Sequence, residues 1–520
     1  MTEKHLFSLL CAGLSVVTAT AQMPGALDLN FGNNGIVITS ASDDNDQAFA
    51  VAVQSDANIV VAGNTYVNAN NQSDFLLMRY LSNGTPDLNF GTNGQVTTDF
   101  GSSDDEGRAV AIQPDGKIVV AGYTLGTSGG FNFAVARYLA NGAPDTGFGT
   151  SGAVIVDFGS TDFCLAMILQ PDGKLVLAGR SYNGATSDFA MVRLLSNGTL
   201  DNSFGTNGKV RVDLFNENES INAIALYPNG SIAAAGETSN SNTGAFAVAK
   251  FTPAGALDNT FGDAGKIRTP IGTLSDAAYA LDLQPDGKLV VAGQSNSATI
   301  SDLAVVRYLP NGTLDNAFSG DGILLEDISP LGDYGFAVHV QTDGKIIVAG
   351  SSSGNQEDVA LFRYGSDGLP DPDFGNNGRV FTDAGNAQQD RALALAVRNG
   401  KLIVAGQTGS FGNYDVLLAQ YEQGAVVSAA SVNGYTPVAQ IYPNPAQTQA
   451  TLALTLAQPD AFLVRMYNAQ GQCIGQWETG PLSTGHHQLP LRWPEGTAPG
   501  GYRVVLLGQR VLGLGLVVEE

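Results

Sequence analysis

The sequence predicts an all-β protein, a seven-bladed β-propeller followed by a small Ig-like β-sandwich. Three observations carry this. Phe31, Phe90, Phe148, Phe204, Phe261, Phe318 and Phe374 recur 56 to 59 residues apart, each closing the phrase Asp-x-x-Phe. Each repeat holds four short apolar segments rather than a helical pattern. A fixed period with one supersecondary unit inside it marks a repeat array, and four-stranded units of about 57 residues suit propeller blades.

The second repeat shows the elements in order. Arg108 to Gln113 is an apolar strand ending at Pro114-Asp115-Gly116-Lys117. Asp-Gly between apolar runs signals a hairpin, since Gly accepts the positive φ of a tight turn. Ile118 to Gly122 is the second strand, Phe133 to Leu139 the third, and a fourth begins at Ala153 after the Asp145-x-x-Phe148 phrase. In the first strand, the residue four before the closing Gln position is always alanine: Ala50, Ala109, Ala166, Ala223, Ala280, Ala337 and Ala394. A small side chain at a fixed inner position fits strands that crowd toward an axis. Ile36 to Ile38 is a fourth strand ahead of any complete blade, and the last repeat stops after its third strand at Tyr421. Pairing the two would close the ring and remove an open edge.

The ends differ from the array. Residues 1–21 read as a signal peptide, with Lys4, an apolar stretch from Leu6 to Val17, and Ala19-Thr20-Ala21. The propeller spans 24–424, and 425–435 is a linker rich in small residues. Residues 436–520 alternate like the strands of a sandwich. Cleavage would leave Cys164 and Cys473 in different regions, so no disulfide framework is expected. The net charge of −24 argues against nucleic acid and anionic membranes as partners. No apolar run in the mature chain is long enough for a membrane span. The expected state is a monomer.

The phrases Gln113-Pro-Asp-Gly-Lys-Ile-Val-Val-Ala-Gly122, Phe133-Ala-Val-Ala-Arg-Tyr138 and Asp145-x-x-Phe-Gly149 resemble the delta-60 repeat. That family implies a propeller in bacterial surface proteins and carries no agreed activity. Tyr442-Pro-Asn-Pro445, Met466-Tyr-Asn-Ala-Gln-Gly471, Gly501 to Leu507 and Leu516-Val-Val518 resemble the type A C-terminal sorting domain of the type IX secretion system. This resemblance implies the secretion machinery as a partner, crossing of the outer membrane from the periplasm, and an extracellular or cell-surface location.

The candidate constellation is an acid ring eight residues before the closing Gln position: Asp46, Asp105, Asp162, Glu219, Asp276, Asp333 and Asp390. A meander brings these to one mouth of the channel, where Asp43, Asp44, Asp104, Glu106 and Glu217 would thicken the negative rim. Oxygen-rich acidic sites suit Ca²⁺; the alternative is that each acid accepts hydrogen bonds within its own loop. No other cofactor is expected. Inner-strand symmetry breaks where Asp282 and His339 replace the Ala or Ile of five other repeats, and adjacent blades should bring the two together near the channel. The recurring Arg79, Arg137, Arg193, Lys250, Arg307 and Arg363 suit ion pairs with the Asp of each Asp-x-x-Phe phrase. His339 is the one propeller histidine, so a multi-histidine metal site is excluded there. Neither tryptophan lies in the propeller, so stacking on sugars would rest on tyrosine. The reading is an exported binding module with no evident catalytic centre; the alternative is a secreted carbohydrate-active hydrolase or lyase using carboxylates on the loop-rich face.

Overall fold

The computed structural model describes residues 23–66 and 72–424, apart from 102–103, 127–128, 241–242, 298–299, 355, 386–387 and 411, and then 438–442, 450–456, 460–467, 473–491, 500–507 and 511–518. The signal peptide and linker fall outside these residues. Every regular element described is a β-strand, so no helix is long and apolar enough to cross a membrane.

Seven four-stranded antiparallel sheets form seven blades. Blade 1 is built from Asp46–Val53, Ile59–Tyr66, Ser73–Tyr80 and Gln95–Thr98. Blades 2 to 6 repeat this order, and their first strands begin at Asp105, Asp162, Asn218, Asp276 and Asp333. Blade 7 takes Gln389–Arg398, Lys401–Ser410 and Asn413–Glu422 from the C-terminal end of the array and Ile36–Thr39 from its start. The register is Ile36 with Ala419 through Thr39 with Val416, the closure anticipated from the phase of the repeats.

First strands of neighbouring blades adjoin one another around the axis. Each carries a bulge before its fixed alanine; in blade 1 the pairing shifts between Ala48 and Ala50. Opposite every bulge stands a second-strand glycine. A Cβ on Gly63 would collide with the carbonyl oxygen of Gln47, and the same holds at Gly122, Gly179, Gly236, Gly293, Gly350 and Gly406. Between blades lie apolar clusters, such as Val60, Phe75, Phe90, Val120 and Tyr138 at the junction of blades 1 and 2. The recurring phenylalanines are all buried in these seams.

In the C-terminal region, strands 438–442, 450–456 and 485–491 form one sheet, and 473–482, 460–467, 500–507 and 511–518 form another. The three strands expected there are present, with four more that sequence alternation did not single out.

Candidate functional site

Recurrent polar residues resolve into scaffolding. Arg137 donates from Nε to Asp145 Oδ2 at 2.8 Å, and its guanidinium lies 4.5 Å from the centre of the Phe148 ring. Its Nη1 donates to the Ser196 carbonyl of the next blade. Arg79, Arg193, Arg307 and Arg363 repeat the arrangement. Five of the seven Asp-x-x-Phe phrases are therefore seats for a strand-three arginine that ties its blade to the next, whereas Asp258 pairs with Lys250 and Asp28 with Lys401 of the second strand of blade 7.

The acid ring does gather at one end of the blades, but it does not rim an open mouth. All seven carboxylates are at most 1% exposed. Asp46 accepts the amides of Ala41 and Ser42 at 2.6 and 2.9 Å and the Thr65 hydroxyl at 2.6 Å. Asp276 and Asp333 do the same with Ser295 and Ser352. Asp105, Asp162, Glu219 and Asp390 each hold at least one amide of their own inter-blade loop. The physical reason is that the loop's free N–H groups converge on the nearest acceptor as the chain turns into the first strand. Burial pushes Glu219 up to about 7 despite the Leu214 and Phe215 amides, and raises Asp162 and Asp390. Of the acids expected to thicken the rim, Glu106 pairs with Arg108, and Glu217 is held by Thr238, Asn240 and Arg268.

Asp282 and His339 meet as expected. Asp282 Oδ2 lies 3.2 Å from His339 Nδ1 and accepts the Val340 amide at 2.8 Å, so the pair bridges blades 5 and 6. Both side chains remain about a third exposed (30% and 38%).

A second asymmetry was missed by sequence reasoning. In the first strands, the second and fourth positions alternate with buried neighbours and differ from blade to blade. The second holds Gln47, Glu106, Phe163, Ser220, Ala277, Tyr334 and Arg391; the fourth holds Phe49, Arg108, Leu165, Asn222, Tyr279, Phe336 and Leu393. All but Ser220 and Ala277 are half-buried. Around the axis they assemble into two aromatic–ionic patches at the end carrying the inter-blade loops.

In blades 1 to 3, the Arg108 guanidinium lies 3.9 Å from the Phe49 ring centre and 2.5 Å from Glu106. Phe163 packs edge-on to Tyr123 at 4.9 Å and against Phe131 at 4.8 Å, with the Arg180 guanidinium 4.6 Å from its centre. In blades 5 to 7, Phe336 meets Tyr279 at 5.3 Å and stacks on Tyr334 at 5.6 Å. Arg391 there grips Glu357 through two contacts of 2.8 Å. Phenylalanines thus supply much of the aromatic surface, which corrects the expectation that stacking rests on tyrosine. The signal was the contrast between invariant Ala and Asp positions and the variable residues between them.

Glu237 lies beside this surface, paired in register with Ser220. Burial raises its pKa, with Arg180 opposing. A separate cavity of about 580 Å³, lined by Phe158, Val210, Phe251 and Leu257, lies on the periphery at the outer strand of blade 3.

Six segments, 54–90, 113–148, 170–204, 228–261, 284–318 and 341–374, match the model of a domain of unknown function (DUF5122) beta-propeller. Each runs from the end of a first strand to the blade's recurring phenylalanine. The chain is a β-propeller repeat protein. No curated protein matches it. Similar solved structures include the polysaccharide lyase Uly1, at 14% identity over 72% of this chain and 90% of that one, with a TM-score of 0.44. An ulvan lyase of family PL25 bound to a GlcA–Rha3S unit gives 11%, 79%, 97% and 0.41. Drosophila Semaphorin 2a gives 8%, 96%, 99% and 0.43. The likeness of the propeller to these is one of fold alone.

Proposed function

We propose that the protein is exported and acts on the cell surface or in the medium as a binding module, with the axial aromatic–ionic surface as its ligand site. One observation carries this: seven inner strands that agree at their alanine and acid positions disagree at the two positions that gather around the axis. A scaffold device is copied, whereas a ligand site breaks symmetry. Half-buried rings offer flat apolar faces, and the adjacent guanidiniums offer planar donors at modest entropic cost.

The test is a binding screen of the signal-free chain against extracellular and cell-wall polysaccharides, repeated with Phe163→Ala and Arg108→Ala. Loss of a hot-spot ring or guanidinium should weaken binding at least about tenfold. A ligand held equally well by both folded variants would place the site elsewhere.

Export rests on the N-terminal signal pattern and on the resemblances to the delta-60 repeat and the type IX sorting domain. Deleting 436–520 should trap the protein in the periplasm with its signal still cleaved. Unchanged appearance of the truncated chain outside the cell would refute the sorting role.

A hydrolase or lyase is the second reading, favoured by Glu237, a desolvated acid beside the axial surface. Glu237→Gln should then abolish release of new sugar ends from a bound polysaccharide while leaving binding intact. Full activity in that variant removes Glu237 from any mechanism.

A further inference from the structure

Among the described residues, every lysine and arginine of the propeller forms an ion pair or a side-chain hydrogen bond except Arg180. Arg180 lies in the second strand of blade 3, Leu175–Tyr182, opposite Phe163 of the first strand. It is half-buried, with its guanidinium 4.6 Å from the centre of the Phe163 ring. The arginines of the neighbouring aromatic contacts differ from it, since Arg108 is neutralised by Glu106 and Arg391 by Glu357. Glu237 of the next blade feels the charge of Arg180 but forms no ion pair with it.

The chain has 49 acidic residues against 25 lysines and arginines, so a cation is not left free for want of partners. A guanidinium laid on a phenyl face keeps its planar N–H donors at the edge, and those donors match a carboxylate or sulfate through paired hydrogen bonds. The ring beneath is itself fixed, because Tyr123 and Phe131 pack against Phe163. Beyond Arg180 around the axis, the second positions of the next two first strands hold Ser220 and Ala277, the two smallest side chains of that row. The second aromatic patch follows, with Tyr279, Tyr334 and Phe336. The free cation therefore stands at the edge of one patch, with the shortest side chains between it and the other.

We propose that Arg180 is the anion subsite of the axial surface and that the ligand is an acidic polysaccharide, whose uronate carboxylate or sulfate ester meets the guanidinium. This rests on the reading of the axial surface as the ligand site and names what that site selects. A pyranose presents a flat C–H face about the size of a phenyl ring, so it can lie on a half-buried aromatic side chain while its charged substituent reaches Arg180. An acidic peptide offers the carboxylate on a flexible stem, without a flat face at a fixed distance from it. The net charge of −24 repels polyanions at long range, so recognition depends on contact at Arg180 rather than on electrostatic steering.

The signal-free chain is titrated by calorimetry with polygalacturonate, alginate and hyaluronate, each beside its carboxyl-reduced form, and with dextran sulfate beside dextran. The acidic member of at least one pair should bind at least about tenfold more tightly than its neutral partner. Preference within a uronate pair assigns the anion to a carboxylate, and preference within the dextran pair assigns it to a sulfate. Arg180→Gln should abolish the preference. Arg180→Lys, which keeps the charge without the planar fork, should retain part of it, and it keeps the test decisive should Arg180→Gln fold poorly. Equal affinity for both members of every pair, with binding still weakened by Phe163→Ala, removes the anion subsite and leaves the axial site standing. A preference that survives in folded Arg180→Gln also overturns the proposal, as does polyglutamate bound as tightly as any glycan. Binding of none of these by the wild-type chain, or binding indifferent to both Arg180→Gln and Phe163→Ala, overturns the axial reading with it.

Discussion

A methyl group on Gly179 would meet the backbone carbonyl of Phe163, and neither strand can yield without opening the bulge. Gly179→Ala should therefore cost about 1–3 kcal/mol, the usual penalty for overpacking, read as a lower urea midpoint. A smaller loss than Ala produces at an exposed strand glycine would show that the bulge is soft. Charge acts at this scale in two opposed ways. Burial holds Glu219 at about 7 and Asp74 at about 6, above their ordinary values of 4.5 and 3.8. Their contribution to stability is present at low pH and lost as pH rises through those values. Hydrogen bonds from Ser203, helped by Arg193 against burial, hold Asp201 down to about 2, so its contribution is present above 3.8 and lost below it. Tm should rise as pH falls from about 7.5 to 5 and drop below about 3.8. Glu219→Gln should flatten the upper limb; an unchanged limb would remove Glu219 as its cause.

At the scale of the blade, two of the seven junctions lack the arginine tie found at five, those after blade 4 and after blade 7, where Gln420 takes the arginine's place. Lys250 replaces arginine in blade 4; it keeps a 3.3 Å pair with Asp258 but lies over Tyr227 rather than Phe261. No hydrogen bond reaches from it to Pro310, the counterpart of Ser196 and Ser366, which accept from Arg137 and Arg307. Lys250→Arg should restore the tie and stabilise by about 0.5–1.5 kcal/mol, while Arg137→Lys should lose a similar amount, both read by denaturant unfolding. Equal stability of all three proteins would mean that the bond merely replaces water. The recurring phrase was plain in the sequence, and so was its pairing with a strand-three cation. The hydrogen bond to the following blade was not, because it depends on which carbonyl the propeller's curvature places opposite.

Closure belongs to the whole molecule. Ile36–Thr39 completes blade 7, and the Leu27 backbone bridges to Tyr421 nearby. Arg398 adds a link across the same seam by donating to the Gln54 and Ser55 carbonyls of blade 1. Deleting residues 22–40 should leave the 413–422 strand as an open edge and bare the apolar seam around Leu418. A fall in Tm with concentration-dependent association, followed by scattering, is expected. A monomeric deletion variant of unchanged Tm would show that the N-terminal strand is dispensable.

The sequence by itself determined the blade count, the four strands of each blade, the closing pair and the contact of Asp282 with His339. These depend on period, turn chemistry and register, which are local or repeat along the chain. Alternation also located strands in the C-terminal region, though not how they divide into two sheets. Tertiary structure alone decided the fate of the acid ring. Whether a carboxylate at Asp46 or Asp390 faces a channel or its own loop depends on where the loop's amides come to lie, and spacing does not carry that. The axial patches were equally hidden. Phe49 and Arg108 belong to different repeats, and only curvature of the ring brings them within contact.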